Sequence, residues 1–360
     1  MKPASEHFDA IVVGAGPAGI TAAKHLGQDG FKVLVIDQKK EIGSNVQCAE
    51  FVPLVISRHA MLRECDIAQQ VHGIKTFIND ELVNTLRAPG YVLNRGLWEQ
   101  NLAQKAEAAG VSFRNATRVV DIEGKVVSVL KGTQLSQISA EYILGCDGPR
   151  SIISKKLGNV PQEMCAALQY EMLLAKPLEA AAIYFDAAYY GGYAWAFPKG
   201  KSANVGVAVH DSYKDQLKTL LADFCQKLIK RQVIQAEAGL ATTGGLIPAG
   251  GLVACMANEH MLVAGDAAGC THPITGAGIM NAVVSGHLAA MAVTMHLRSQ
   301  GRDPAGKNYT QALLAEYGIR FAVASDRLVT RNQGWTNNQE EFTALIRRSW
   351  IAFPEYYAQQ

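Results

Sequence analysis

The chain has no C-x-x-C pair, no H-x-x-x-H and no run of acidic and histidine residues at metal-ligand spacing, which argues against a bound zinc or iron centre. Its cysteines number seven, an odd count that suits reduced thiols better than a disulfide framework. There is no excess charge of one sign: 34 Lys and Arg face 32 Asp and Glu, for a net +2. A nucleic-acid footprint needs a concentrated basic face, so that class is set aside. An apolar strand begins near Phe8, which leaves no space for a signal peptide. The longest uncharged run, Pro273 to Leu297, contains Gly276, Gly278, Asn281, Gly286, His287 and His296, the composition of a core helix rather than a transmembrane segment. No Ser-His-Asp grouping has a nucleophile elbow, and lone histidines such as His272 read as local hydrogen bonders. There is no internal repeat. A cytoplasmic protein is expected.

What is present is a 360-residue chain with 49% hydrophobic and 18% charged residues, enough for two joined domains. Asp9 to Val13 reads as a strand, Pro17 to Gln28 as a helix stopped near Gly30, and Phe31 to Asp37 as a second strand. Val71 to Val92 reads as a hairpin turning at Asn79-Asp80, and Leu97 to Ala109 as a helix. Strands meander from Val111 to Cys146 and again from Ala166 to His210. Asp211 or Ser212 is expected to cap a helix carrying Leu217, Leu221, Phe224 and Leu228. A short strand at His260 to Ala264 precedes a long helix from about Gly276, then helices over Asn308 to Ala324 and Gln339 to Trp350. This order predicts an α/β fold: a discontinuous Rossmann-like dinucleotide domain over 1–70, 90–160 and 255–325, an inserted β-rich substrate domain over 71–89 and 161–254, and a helical tail over 326–360.

Gly14-Ala15-Gly16-Pro17-Ala18-Gly19 lies between the first strand and helix, and Asp37-Gln38 ends the second strand eighteen residues after Gly19. Gly14 permits the tight turn, Gly16 lets the backbone approach a pyrophosphate, and Gly19 lets helix pack on strand. The helix amino terminus offers unpaired N–H groups to phosphates, and Asp37 is placed for ribose hydroxyls. With strand, helix and acid in register, the motif predicts a dinucleotide site.

Three further stretches bear on which dinucleotide: Asn94-Arg95, Cys146-Asp147-Gly148-Pro149-Arg150-Ser151, and Ala264-Gly265-Asp266-Ala267-Ala268-Gly269 running on to Gly276-Ala277-Gly278. Together with the glycine motif they resemble the flavoprotein superfamily that joins aromatic hydroxylases to geranylgeranyl reductases, with its glutathione-reductase-like (GR2-type) fold. The resemblance covers about residues 8 to 300 and implies noncovalent FAD. It places Asp266 on the ribityl chain, Arg95 near the phosphates, Asp147 and Gly148 at the cofactor, and the helix start at Gly276, Gly278 and Ile279 against the pyrimidine edge. A helix amino terminus there would stabilise the negative charge of reduced flavin.

Gln47-Cys48-Ala49 is similar to the stretch of geranylgeranyl reductases in which a cysteine faces the isoalloxazine ring; a buried structural thiol is the other reading of Cys48. Gly192-Tyr193-Ala194-Trp195-Ala196-Phe197-Pro198-Lys199-Gly200 resembles that group's substrate-sheet signature, with Tyr190 where the signature has proline. Tyr193, Trp195 and Phe197 alternate to one side, as a wall over flavin or substrate or as core. Only one nucleotide fingerprint is complete, so NAD(P)H, if it is the reductant, docks transiently.

The ending Arg347-Arg348-Ser349-Trp350-Ile351-Ala352-Phe353-Pro354-Glu355-Tyr356-Tyr357 resembles modifying flavoproteins encoded with cysteine-tryptophylquinone (CTQ) amino-acid oxidases, which hydroxylate a tryptophan of a precursor protein. That resemblance implies a monooxygenase whose partner is the precursor protein. It calls for an exposed patch around Trp350, Phe353 and Tyr356-Tyr357, unless these aromatics pack the last helix onto the flavin domain. The alternatives are a geranylgeranyl reductase-like enzyme that saturates isoprenoid double bonds, and a flavin-bound assembly protein without turnover.

Overall fold

A computed structural model describes residues 6–236 and 239–358 of the chain. In chain order the elements are β1 (His7–Val13), α1 (Pro17–Gln28), β2 (Val33–Ile36), β3 (Phe51–Pro53), β4 (Ile67–Val71), β5 (Ile74–Ile78), β6 (Glu81–Leu86), β7 (Gly90–Leu93) and α2 (Arg95–Ala108). Then come β8 (Ser112–Arg114), β9 (Arg118–Glu123), β10 (Val126–Lys131), β11 (Gln134–Gly145), α3 (Ile152–Lys156), β12 (Met164–Leu173), β13 (Ala181–Phe185), β14 (Tyr193–Lys199) and β15 (Ser202–His210). The chain continues through α4 (Leu217–Lys230), β16 (Ala241–Pro248), β17 (Met261–Val263), α5 (Ile279–Arg298), α6 (Ala305–Leu313), α7 (Ile319–Gln333), α8 (Gln339–Ser349) and α9 (Pro354–Tyr357).

One sheet runs β8-β2-β1-β11-β10-β9, with β17 also on β11. β2 and most of β1 are wholly buried, the run of apolar residues expected of strands covered on both faces. β11 divides its length: Gln134 to Ser139 pairs antiparallel with β10, and Ile143 to Gly145 pairs parallel with β17. Val13 stands opposite Gly145, and Gly145 opposite Val263. Three neighbouring parallel strands therefore end level, and the chain leaves them as Gly14–Gly19, Cys146–Gly148 and Ala264–Asp266. This register brings three sequence-distant motifs to one edge, the carboxyl ends where open α/β sheets bind ligands. α5 is long and apolar enough by length and composition to cross a membrane, yet 61% of its most apolar window is buried against the rest of the protein.

The second sheet runs β16-β12-β15-β14-β13-β5-β6. Its β5–β6 hairpin turns at Asn79 and Asp80, both at positive φ, as the sequence predicts. One face, with Ala194 and Ala196, packs on α4; the other, with Trp195 and Phe197 and the half-buried Tyr193, packs on the carboxyl-terminal helices. A third, small sheet, β3-β7-β4, lies beside them.

Three expectations change. α4 begins at Leu217 with no side-chain cap of its own; the 3-10 turn before it, Asp211–Gln216, is capped by the His210 ring, whose Nδ1 accepts from the Ser212 N–H. The helix expected over Asn308 to Ala324 extends from Ala305 to Gln333 through a π segment at Leu314–Gly318. The tail aromatics form no exposed patch. Trp350, Phe353 and Tyr356 are 3%, 2% and 4% exposed, and Tyr357 alone of the four is open, at 54%. Nor do they pack on the flavin sheet: the Trp350 ring lies 5.0 Å from Phe185 and 5.5 Å from Tyr193, on the second sheet. Large rings gain most by burial, and β13–β14 offer the apolar face that takes them.

Candidate flavin site

The glycine loop is shaped by its own neighbourhood. Gly14 has φ +101°, and a Cβ on it would sit 2.2 Å from the Cys146 carbonyl oxygen. A Cβ on Gly19 would meet the Gly14 carbonyl at 1.9 Å, so α1 reaches β1 only because that atom is missing. Gly16, by contrast, faces open space. Asp37 accepts the Ala15 N–H at 2.6 Å and the Lys39 N–H at 2.7 Å, tying loop to strand end. Gln38 is exposed. α1 starts at Pro17 with Gly16 as its cap residue and no side-chain cap, and no acid stands in its first turn. Its leading N–H groups are left for an anion.

Gly16 and the start of α1 open onto a cleft of about 220 Å³, lined by Gly16, Pro17, Ala18, Gln47, Cys48, Ala49, Arg95, Cys146 and Gly148, while Gly14, Gly19, Asp37 and Gln38 stand outside its lining. Leu246 and Ile247 of β16 form its apolar side, and Gly265, Asp266, Thr271, Gly276, Gly278 and Ile279 complete it. A larger cavity of about 710 Å³ lies among Tyr142, His260, His296 and α6, away from all four motifs. The chemistry gathers at the smaller one.

Asp266 is half-buried in the cleft wall. Its Oδ1 accepts the Thr271 hydroxyl at 2.8 Å. Burial raises its carboxyl pKa against the opposing pulls of Thr271 and Arg95. Arg95, at the first position of α2, donates through Nε to Glu99 at 2.8 Å. Burial works against its charge, but Glu99 and then Cys48 more than offset it, so the guanidinium stays a cation in the cleft wall. α5 begins at Ile279 behind Gly278 with no side-chain cap and no first-turn acid, a second bare amino terminus. The turn before it is held by His272, whose Nδ1 accepts from the Ile274 and Thr275 N–H groups at 3.3 and 3.4 Å. That acceptor role requires a neutral ring, and burial followed by the Arg320 charge lowers its pKa to about 4.

Two uncapped helix starts, one open glycine, one half-buried carboxylate and one half-buried guanidinium on a single cleft form a polar set that fits a flavin dinucleotide: phosphates at α1, ribityl hydroxyls at Asp266, and ring edge at α5.

Other sequence candidates are placed differently. Asp147 does not line the cleft. Its Oδ2 accepts the Ile152 N–H at 2.8 Å at the start of α3, and burial raises its pKa. Tyr193 and Trp195 do not line it either. Tyr193 is half-buried, desolvation raises its hydroxyl pKa, and it donates to the Thr275 carbonyl at 2.5 Å, bracing the turn that carries Gly276. Trp195 is 6% exposed and donates to Gln169 at 2.9 Å. Of the three catalytic candidates, Cys48 reaches the cleft. Glu50 was missed by the sequence reading. It is 5% exposed at φ +67°, with Oε1 accepting the Arg95 N–H at 3.1 Å and Oε2 accepting Lys199 Nζ at 2.5 Å and Asn204 Nδ2 at 2.9 Å. A polar side chain in no motif carries no sequence signal of this kind.

Comparison with known proteins agrees with this geometry. The pattern of the FAD binding domain family matches residues 85–317, and that of an NAD(P)-binding Rossmann-like domain matches residues 12–66. Digeranylgeranylglycerophospholipid reductase 1 of Methanosphaera stadtmanae is 31% identical, over 94% of this chain and 87% of its own. Digeranylgeranylglycerophospholipid reductase 2 of Methanopyrus kandleri is 33% identical, over 88% and 85%. Among solved structures, a geranylgeranyl bacteriochlorophyll reductase-like protein of Thermoplasma acidophilum superposes with TM-score 0.78 at 24% identity, covering 96% of this chain and 97% of that one. PqsL of P. aeruginosa superposes with TM-score 0.72 at 18% identity, over 95% and 100%. The fold is thus shared by reductase-like and monooxygenase flavoproteins, and the chain itself belongs to the FAD binding domain family, as an FAD-dependent oxidoreductase.

Proposed function

We propose that the enzyme saturates carbon–carbon double bonds in an isoprenoid chain carried by a lipid. The observation that carries this reading is likeness along the whole chain: seven relatives named digeranylgeranylglycerophospholipid reductase are 28–33% identical over at least 80% of its length. It displaces tryptophan hydroxylation as the first choice, and the turnover of those relatives leaves the non-catalytic assembly role without support. When bound, FAD supplies the hydride that alkene reduction needs. The chain's own work is to hold the cofactor through Arg95, Asp266 and the two helix starts, and to exclude water with Leu246 and Ile247. In this reading Cys48, the thiol of the cleft wall, delivers the proton that completes the reduction.

The test is to incubate purified flavin-loaded protein with a digeranylgeranylglycerophospholipid in detergent, using NAD(P)H or dithionite as reductant, and to weigh the lipid. Each saturated bond adds two hydrogens. An unchanged lipid mass with reduced flavin present would count against the reading.

A second reading, oxygen transfer to a tryptophan of a precursor protein of a quinone-cofactor oxidase, draws on the fold shared with PqsL, and it loses the exposed docking patch it called for, because Trp350, Phe353 and Tyr356 are buried. Co-expression with such a precursor, followed by weighing its tryptophan peptides, separates the two: added oxygen supports this second reading, and none removes it.

A further inference from the structure

Residues 46–50, which carry Cys48 into the cleft, are fastened to the second sheet at almost every residue. Thr243 Oγ1 of β16 donates to the Val46 carbonyl at 2.9 Å. Gln169 Nε2 of β12 donates to the Cys48 carbonyl at 3.2 Å, and the same Gln169 accepts Trp195 Nε1. Asn204 Nδ2 of β15 reaches both the Ala49 carbonyl at 3.2 Å and Glu50. The Glu50 carboxylate then joins three elements, taking the α2 backbone at Arg95, the ammonium of Lys199 on β14, and Asn204 on β15. Gly245 leaves the room: a Cβ there would stand 2.8 Å from Gln47 Oε1.

We infer that Glu50 is the positioning residue of the active site. Its buried carboxylate holds the Cys48 loop and the Arg95 helix start in one register against the flavin cleft, with Lys199 as its charge partner. A buried carboxylate is retained where its charge is met, and both oxygens of Glu50 are met. A non-glycine residue at φ +67° costs energy, which the surrounding bonds must offset. The aromatic signature strand takes a new meaning from this. Trp195 and Lys199 act on the cleft through Gln169 and Glu50, with their side chains turned to the loop's support and not to a substrate wall. The inference rests on the flavin site and is independent of which substrate is reduced or oxygenated.

The test uses the purified flavoprotein, the variants Glu50→Gln and Lys199→Met, and the double variant, all at matched flavin content. The first readout is the alkylation rate of Cys48 by iodoacetamide, followed by peptide mass, with exposed Cys65 as the internal standard. The second is the visible absorption band of the bound flavin. Loss of a charge-assisted bond should free the loop, so that Cys48 alkylation rises about tenfold in Glu50→Gln while Cys65 is unchanged. Lys199→Met should give the same direction with a smaller rise, the double variant should not exceed Glu50→Gln, and the flavin band should shift in step. Unchanged Cys48 rate and unchanged band in both variants overturn the inference, whatever happens to thermal stability. Should Glu50→Gln fail to fold, Lys199→Met decides alone. Because neither readout needs a substrate, failure here is distinct from failure of the lipid-reductase reading.

Discussion

The cleft is lined by two short loops that are held in opposite ways. The glycine loop takes most of its form from residues within one strand-helix-strand unit, namely the positive φ of Gly14, the absent Cβ of Gly19 and the Asp37 carboxylate on Ala15, with the Cys146 carbonyl against Gly14 as a distant neighbour. The Cys48 loop has one local bond, from the Glu50 N–H to Cys48 Sγ at 3.2 Å, and is otherwise held from afar. Its partners, Gln169, Lys199, Asn204 and Thr243, stand 121 to 197 positions further along the chain. One loop is a property of a sequence segment, and the other exists only once two sheets have met. Changes near the first should damage it locally and severely. The second should respond to remote changes.

The largest effect expected is at Gly19. A Val there would drive its Cβ into the Gly14 carbonyl, and Gly19→Val should yield insoluble or flavin-free protein, a loss of about 4 kcal/mol or more. Soluble expression and the ratio of flavin to protein absorbance report it. Normal flavin content in this variant would break the claim that the glycine loop is locally determined.

Next comes Trp350. Truncation of a buried ring against Phe185 and Tyr193 should cost about 3–5 kcal/mol of stability in Trp350→Ala, read by denaturant midpoint. At temperatures where the variant stays folded its flavin content should be unchanged, since the tail packs on the second sheet. Loss of flavin without loss of stability would instead put the tail in the site.

Smaller again is Asp266→Ala. Removing one charged acceptor should weaken FAD retention by about 1.5–3 kcal/mol, or ten- to a hundredfold, with little change in apoprotein stability. Cys48→Ala should retain more flavin than Asp266→Ala. Titration of apoprotein with FAD, followed by flavin fluorescence, measures both.

Mildest for each unit change is the effect of pH. His272 is neutral in the fold with a pKa lowered to about 4, against an ordinary 6.5. Between those values the unfolded chain takes up the proton first, so stability falls as pH drops from 6.5 to 4, by at most about 1.4 kcal/mol per pH unit. His25 is lowered to about 4 by burial and by Lys24, and it adds to the same window. His272→Gln should flatten part of the slope of Tm against pH and leave the His25 share. Because the His272 ring accepts two N–H groups of the Gly276 turn, flavin release should follow its protonation.

Much of this protein was legible in its sequence. α1 runs from Pro17 to Gln28 as periodicity and Gly-Pro punctuation predict, and the Asn79-Asp80 hairpin announces itself in its turn residues. The glycine loop, Asp266 and the Gly278 helix start were readable because each is a short-range motif with a backbone reason. Where the side chains of Asp147, Tyr193 and Trp195 turn was not. A two-residue period says that Tyr193 and Trp195 share a face, but not what covers that face, and the answer is Trp350, more than 150 residues on. Nor could composition reveal Glu50, a lone acid whose three partners come from three elements. Local steric and hydrogen-bond rules act within a few residues and so are written in the sequence. The depth of a charge, the cover of an apolar face and the hold on the Cys48 loop depend on which sheets pack together, and only the tertiary structure decided them.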